Sequence, residues 1–386
     1  MATIEAIPIN DEEILPLDQQ ENEDDLEGVQ PSEAVLFNTD WTVETLFRQV
    51  HKGNINLDPQ FQRREAWDVN RKSKLVESIL CNFPIPNIVL AEEKNRKGRY
   101  IVIDGKQRLF SITSFLNDEY VLQNLSIRRD LNGKKFSDLN EHYVEEVNVI
   151  ENQPIRTVII RNWPDENYLY SVFYRLNSGS LPLSSQELRK ALHGGKLLDY
   201  IDDFLRASGP HKMVFGAGVD RRMRDVELVL RFVAFERFLK NYDGNLKRFL
   251  DDRVVYYNDN WDSEKSNLDA DLEKYNIALT IASKVFGEKA FKKWNGSTFE
   301  RRINRAVFDV IARYFVDPAI EQSAIDNKDQ IIVRFKELCE SNLAFREAIE
   351  RTTKTPTATR TRYKLWGEQL ANILGKHLDH DNMRLV

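Results

Sequence analysis

Apolar residues in the first half of the chain change period repeatedly, from helical spacing to runs of strand length and back. Val43, Leu46, Phe47 and Val50 share one face and predict a short amphipathic helix over Trp41 to His51, ended by Gly53. Leu75, Val76, Ile79 and Leu80 predict a second helix over Asn70 to Asn82. The apolar runs Asn87 to Ala91 and Arg99 to Ile103 are separated by the charged turn Lys94 to Gly98, the signature of a hairpin. Leu109, Ile112, Phe115 and Leu116 then return to helical spacing. Asn132-Gly133 reads as a turn and Ile155 to Ile160 as another strand. Leu169, Val172, Phe173 and Leu176 predict a helix over Asp165 to Leu176 that leaves Arg175 off its apolar stripe. Ser184-Ser185-Gln186-Glu187 is a capping box, so a helix starts there, with a structural duty for Glu187, and stops at Gly194-Gly195.

From Lys196 the helical period continues almost without a break. Val226 to Leu239 is apolar on more than one face and predicts a central buried helix. Leu268, Leu272, Tyr275, Leu279, Ala282 and Phe286 mark a long helix closed by Gly287, and Ile303 to Phe315, Lys328 to Cys339 and Arg360 to Leu378 look similar. The pattern predicts an α+β protein with three parts. Residues 1–35 form an acidic leader, 36–195 a small mixed domain with a hairpin, and 196–386 a mainly helical bundle domain.

Charge changes this picture at the N-terminus. Residues 1–47 hold 13 acids and no Lys or Arg, so the formal net charge of −6 hides a mildly basic body, and the leader is expected to be a disordered, solvating tail. Cys81 and Cys339 lie far apart in apolar helical stretches and read as buried thiols of a reducing cytosol, without a zinc pattern. No apolar run reaches bilayer length and no signal-peptide pattern opens the chain, so a cytoplasmic protein without a membrane is expected.

Candidate chemistry concentrates at Asp104-Gly105-Lys106-Gln107-Arg108, between the second hairpin strand and its helix. Gly105 permits a sharp turn, and the unpaired N–H groups of the helix start attract anions, as do Lys106 and Arg108. Asp104 suits a cation, a water to be activated, or the holding of Arg108. Upstream, Gln62 and Arg63 offer an amide beside a guanidinium fork, whereas Trp67 reads as a core or rim aromatic. Glu77 and Ser78 are assigned to a solvated helix face.

Three motifs carry a resemblance. P-x-F-Q-R-x-x-x-W at Pro59 to Trp67, I-D-G-K-Q-R-L at Ile103 to Leu109, and F-x-R-L-N-S-G at Phe173 to Gly179 with L-x-x-x-E-L-R behind it stand in order. Over roughly residues 35 to 240 the chain resembles the N-terminal half of GmrSD-type modification-dependent restriction enzymes, a domain related to the ParB and sulfiredoxin nucleotide-binding fold. The resemblance implies a phage-defence protein that binds and hydrolyses a nucleoside triphosphate; read from the residues, Asp104 with a phosphate-bound magnesium is the one metal participant to expect. Its implied pocket comprises Gln62, Arg63, Gly105, Lys106, Arg175, Asn177, Ser178 and Arg189, with Asp104, Gln107 and Arg108 as catalytic candidates. Arg189 is read as a partner of the pocket or of Asp104, or as one half of a surface salt bridge. Relatives often carry D-G-Q-Q-R, and Lys106 replaces the first Gln, which favours binding over turnover.

Many relatives cut DNA with a second, His-Asn-His nuclease domain. Its histidine-rich signature is not found, the nearest match being His377-Leu378-Asp379-His380, so a partner nuclease or other defence subunit is expected, along with a homo-oligomer as an option. Arg351, Lys354, Arg360, Arg362 and Lys364, interleaved with threonines, form a candidate DNA-binding cluster. Arg221, Arg222 and Arg224 form another basic patch. No metal site, Walker loop or Gly-x-Ser-x-Gly elbow is read from the chain. Two alternatives stay open: a DNA nuclease that uses the same pocket itself, and a non-catalytic sensor or adaptor for a nucleotide or modified DNA.

Overall fold

The computed structural model describes residues 34–57, 67–176, 184–216, 218, 220, 222–351 and 353–386. Most of the acidic leader, Gln62 and Arg63, Asn177 and Ser178, and Arg221 lie outside the described residues. The chain divides into two compact units between Leu192 and His193.

The first unit opens with β1 (Val35–Thr42), a strand that the hydrophobic pattern did not announce. Val35, Leu36 and Phe37 are about half exposed, so no buried alternate face imprinted a period of two on them. Trp41, expected inside the first helix, belongs to β1 instead. Thr42 caps α1 (Val43–His51) by accepting from the Thr45 N–H at 3.1 Å. Asp68 caps α2 (Val69–Leu80) in the same way through the Arg71 N–H. The hairpin of β2 (Ile88–Glu92) and β3 (Tyr100–Asp104) feeds α3 (Lys106–Leu116). Then come α4 (Phe136–His142), α5 (Val144–Asn152), β4 (Pro154–Arg161), α6 (Glu166–Leu176) and α7 (Ser185–His193).

The sheet order is β1-β4-β2-β3, with β4 antiparallel to β1 and parallel to β2. Both faces of its inner strands are covered, because alternate residues point to opposite sides. Ile88, Leu90, Tyr100, Val102 and Ile159 pack with α1, α2 and α3, whereas Val89, Ala91, Ile103 and Ile160 pack with Leu169, Phe173 and Leu188 from α6 and α7. Leu176 does not complete the stripe expected on α6, being 44% exposed.

The second unit is mainly helical: α8 (Lys196–Ala207), α9 (Gly209–Phe215), α10 (Arg224–Phe238), α11 (Leu246–Asp259) and α12 (Trp261–Phe286). A hairpin of β5 (Lys292–Trp294) and β6 (Phe299–Ile303) interrupts the helices, which resume as α13 (Arg305–Tyr314), α14 (Glu321–Asp326), α15 (Lys328–Ser341), α16 (Leu343–Glu350) and α17 (Pro356–Leu374). A two-residue hairpin, β7 (Leu378–Asp379) with β8 (Arg384–Leu385), takes up the segment read as the end of the last helix. Together the two units are an α+β structure with a small mixed sheet. Neither of these hairpins was legible, because their strands are only partly buried and too short to show alternation.

Helix α10 is buried from Asp225 to Glu236, as its all-round apolar pattern requires. Its charges survive burial by pairing: Arg231 with Asp309, Glu227 with Arg305, and Glu236 with Lys274 and Arg384. Of the nearby basic patch, Arg224 is held by Asp220 at 2.8 Å. Cys339 is buried, and burial pushes its thiol up to about 12. Cys81 is half-buried at the end of α2 rather than buried as expected. Among the described residues, no helix is long and apolar enough to cross a membrane.

Candidate functional site

The end of β3 delivers Asp104 to the edge of a buried corner. Gly105 turns the chain with φ +92° and stands at the N-cap of α3 without a side-chain cap, so the N–H groups of the first turn face an uncapped helix start. The corner is tight: a Cβ on Gly105 would lie 3.0 Å from Ile88 Cγ1 and 3.2 Å from Arg108 Nη2. One turn later, Arg108 folds back over the glycine. Its Nη2 donates to the Asn87 carbonyl and to Asp104 Oδ2, both at 2.8 Å. Arg108 is 8% exposed and Lys106 7%, whereas the Asp104 side chain keeps 37%.

Two polar atoms remain buried at this corner without a partner, Arg108 Nε and Gln107 Oε1. A buried N–H left unmatched costs about 1–3 kcal/mol, so such a group is poised to receive an acceptor. Asp104 is committed to holding Arg108, one of the three roles its chemistry allowed.

The arginines read from the sequence fall in different environments. Ile103, Phe173 and Leu188 share one apolar cluster, which sets the end of β3 and the helices of Arg175 and Arg189 on one face of the sheet. Arg175 is exposed at the end of α6. Arg189 is fully buried, with Nη1 donating to Gln186 Oε1 at 2.7 Å, so it is not half of a surface salt bridge. Glu187 does cap α7: it accepts from the Ser184 N–H, and its own N–H donates to Ser184 Oγ at 3.1 Å. Gln62, Arg63, Asn177 and Ser178 lie outside the described residues.

Glu77 corrects the reading of α2. It is buried, not on a solvated face, and accepts from the N–H groups of Ile127 at 2.7 Å and Arg128 at 2.9 Å. Burial alone would push its carboxyl up, but the Arg128, Ile127 and Ser126 donors outweigh that and hold it below its usual 4.5. The bound carboxylate therefore adds stability above the usual carboxylate range, which is lost as pH falls through its lowered value. Glu77→Gln is expected to cost about 1.5–3 kcal/mol at neutral pH. The gap from wild type should close in acid, read as urea midpoints across the pH range. A gap that is independent of pH would refute the charge-assisted role.

Lys72 was overlooked. It is 3% exposed, with Nζ 4.9 Å from the Phe110 ring centre and 5.4 Å from that of Tyr120. A signal existed, since position 72 falls on the stripe of Leu75, Val76 and Ile79. Asn87 could not have been found, because only its carbonyl acts. Trp67 is a rim aromatic, with the Arg71 guanidinium 4.7 Å from its ring centre.

In the helical unit the candidate DNA cluster divides. Arg362 is 1% exposed and donates to the Thr353 carbonyl and to Asp309, so it is a core residue and cannot meet a phosphate backbone. Arg351 and Arg360 are exposed, Lys354 is half-buried, and Lys364 lies 3.9 Å from Glu368. Arg351 also borders a cavity of about 460 Å³, beside Trp294, Glu340, Arg346 and Glu347. Among the described residues, no three His, Cys, Asp or Glu side chains are grouped to hold a metal ion.

Residues 43–194 match the family model described as the GmrSD restriction endonuclease, N-terminal domain, a span that contains the glycine turn, Arg175 and Arg189. No curated protein and no solved structure gives a significant match.

Proposed function

We propose, from the match of residues 43–194 to the family model of the GmrSD restriction endonuclease N-terminal domain, that the chain is a restriction or phage-defence protein whose glycine turn binds a nucleoside triphosphate. The observation that supports this is the buried Arg108, clamped by Asp104 and the Asn87 carbonyl under an uncapped helix start, with Nε unmatched. Lys106, Arg108 and Arg175 neutralise phosphates, and Gln62, Arg63, Asn177 and Ser178 complete the pocket. Arg189, being buried, acts from beneath through Gln186. Magnesium, where present, is carried by the phosphates, and Gln107 or Asp104 orients water for hydrolysis. DNA is the partner that the family name supports. Arg351, Lys354, Arg360 and Lys364 are the surface offered to it, and a separate nuclease subunit does the cutting.

The test is binding and phosphate release with each nucleoside triphosphate, on the full chain and on Arg108→Lys. Lysine keeps the charge but lacks the planar fork, so affinity is expected to fall at least about tenfold. No binding of any triphosphate by the wild type would overturn the reading. A second reading, a sensor that binds without turnover, is favoured by Lys106 in place of glutamine and by an Asp104 already tied to Arg108. It is separated by tight binding with no phosphate release.

A further inference from the structure

The helical unit carries a cavity of about 460 Å³ where the tip of the β5–β6 hairpin meets the corner between α15 and α16. Its apolar wall is Trp294, Leu343 and the buried Cys339, whose thiol stays neutral because burial pushes it up to about 12. Neighbouring groups hold that wall in place. Trp294 Nε1 donates to Glu340 Oε1 at 2.5 Å, Lys336 Nζ stands 4.1 Å from the Trp294 ring centre, and Asn342 caps α16 by accepting from the Phe345 N–H at 2.9 Å. Lys293 is likewise fixed, between Glu300 at 2.8 Å and Glu350 at 3.0 Å.

The charges that remain at the rim are of both signs. Arg346, Glu347 and Arg351 border the cavity, and among the described residues their side chains make no hydrogen bond or ion pair. Glu347 and Arg351 even stand at the i, i+4 spacing at which opposite charges meet along a helix, yet no ion pair closes between them. Across the whole lining, Lys293, Arg346 and Arg351 are balanced by Glu340, Glu347 and Glu350, so the cavity has no net formal charge. That balance selects the occupant. A polyanion such as a nucleotide or a DNA backbone meets the carboxylates, and a simple cation meets Arg346, Arg351 and Lys336. The carboxylates are not grouped to hold a metal ion. A wholly apolar molecule desolvates the charged rim without answering it. A small apolar body with one charge of each sign satisfies every part, and the volume lies within the range of about 300–1,000 Å³ usual for organic-ligand pockets. We propose that the cavity binds a small zwitterion of the amino-acid class with an apolar side chain. Arg346 and Arg351 take its carboxylate, Glu347 takes its ammonium group, and its side chain lies against Trp294, Leu343 and Cys339. The site belongs to the helical unit and stands whether or not the glycine turn binds a nucleotide.

The experiment is calorimetric titration of the full chain with L-leucine, L-methionine and L-phenylalanine. Each is run beside its N-acetyl derivative, which lacks the cation, and its amide, which lacks the anion. At least one free amino acid is expected to bind saturably. Both of its derivatives should bind at least about tenfold more weakly, since each loses a charge-assisted hydrogen bond. Variants then assign the two ends. Arg346→Ala combined with Arg351→Ala should erase the preference for the free amino acid over its amide, and Glu347→Gln the preference over the N-acetyl form. All these positions are exposed, so the variants are expected to melt as the wild type does. No saturable binding of any of the free amino acids overturns the proposal. Equal binding of the N-acetyl form overturns it too, by making the site one for anions. Binding that is unchanged in every variant places the ligand elsewhere and has the same consequence. Should a variant fail to fold, the wild-type comparison of free and derivatised amino acids decides by itself.

Discussion

Asp309→Ala is expected to destabilise the helical unit by about 3–5 kcal/mol, the largest effect of any single side chain considered, because it strips two buried guanidinium groups of their shared carboxylate. Asp309 is 4% exposed, Arg231 4% and Arg362 1%, so solvent cannot take over the pairing. Asp309→Asn keeps the shape and an acceptor oxygen but not the charge, and should fall between alanine and wild type. Urea denaturation of the three proteins measures the order. A loss of under about 1 kcal/mol in Asp309→Ala would mean that the arginines relax into other contacts, and that the pairs do not hold α10, α13 and α17 together.

Gly105→Ala is expected to cost stability and binding at once. The left-handed backbone there costs an L-residue about 1–2 kcal/mol. The new methyl group must also displace Ile88 or the Arg108 fork, which lies 3.2 Å from it. Gly98 provides the comparison: its φ is +78°, yet nothing lies within 4 Å of a Cβ placed there. Gly98→Ala therefore reports the backbone cost by itself. Affinity for a nucleoside triphosphate should fall at least about tenfold in Gly105→Ala and stay unchanged in Gly98→Ala, since a charge-assisted hydrogen bond is worth about 1.5–3 kcal/mol. Equal behaviour of the two variants in stability and in binding would remove the glycine corner from the proposed site.

The corner itself was legible because its constraints are local. A glycine between an apolar run and a helical stripe, followed by Lys106 and Arg108, announces a turn into a basic helix start. What Arg108 does there was not legible. Its acceptors are Asp104, one turn back, and a carbonyl 21 positions away, brought near only when β2 pairs with β3. Charged residues misled the reading in a consistent way. Glu77 reads as part of a solvated face, Arg189 as a pocket partner or a surface salt bridge and Arg362 as a DNA contact, yet each is buried and hydrogen-bonded within the protein.

By itself the sequence determined the α+β class, the hairpin before the glycine turn, the capping box at Ser184 and the buried course of α10, because hydrophobic period and capping chemistry act between neighbours in the chain. Only the tertiary structure decided that β1 joins the sheet through β4, that Lys72 sits beneath the Phe110 ring, and that Arg362 belongs to the core. Those outcomes depend on groups brought from far along the chain: β4 for β1, Phe110 for Lys72 and Asp309 for Arg362. Burial of a charge is decided by whether a counter-charge or carbonyl arrives from elsewhere in the fold, and no spacing within a single helix encodes that arrival.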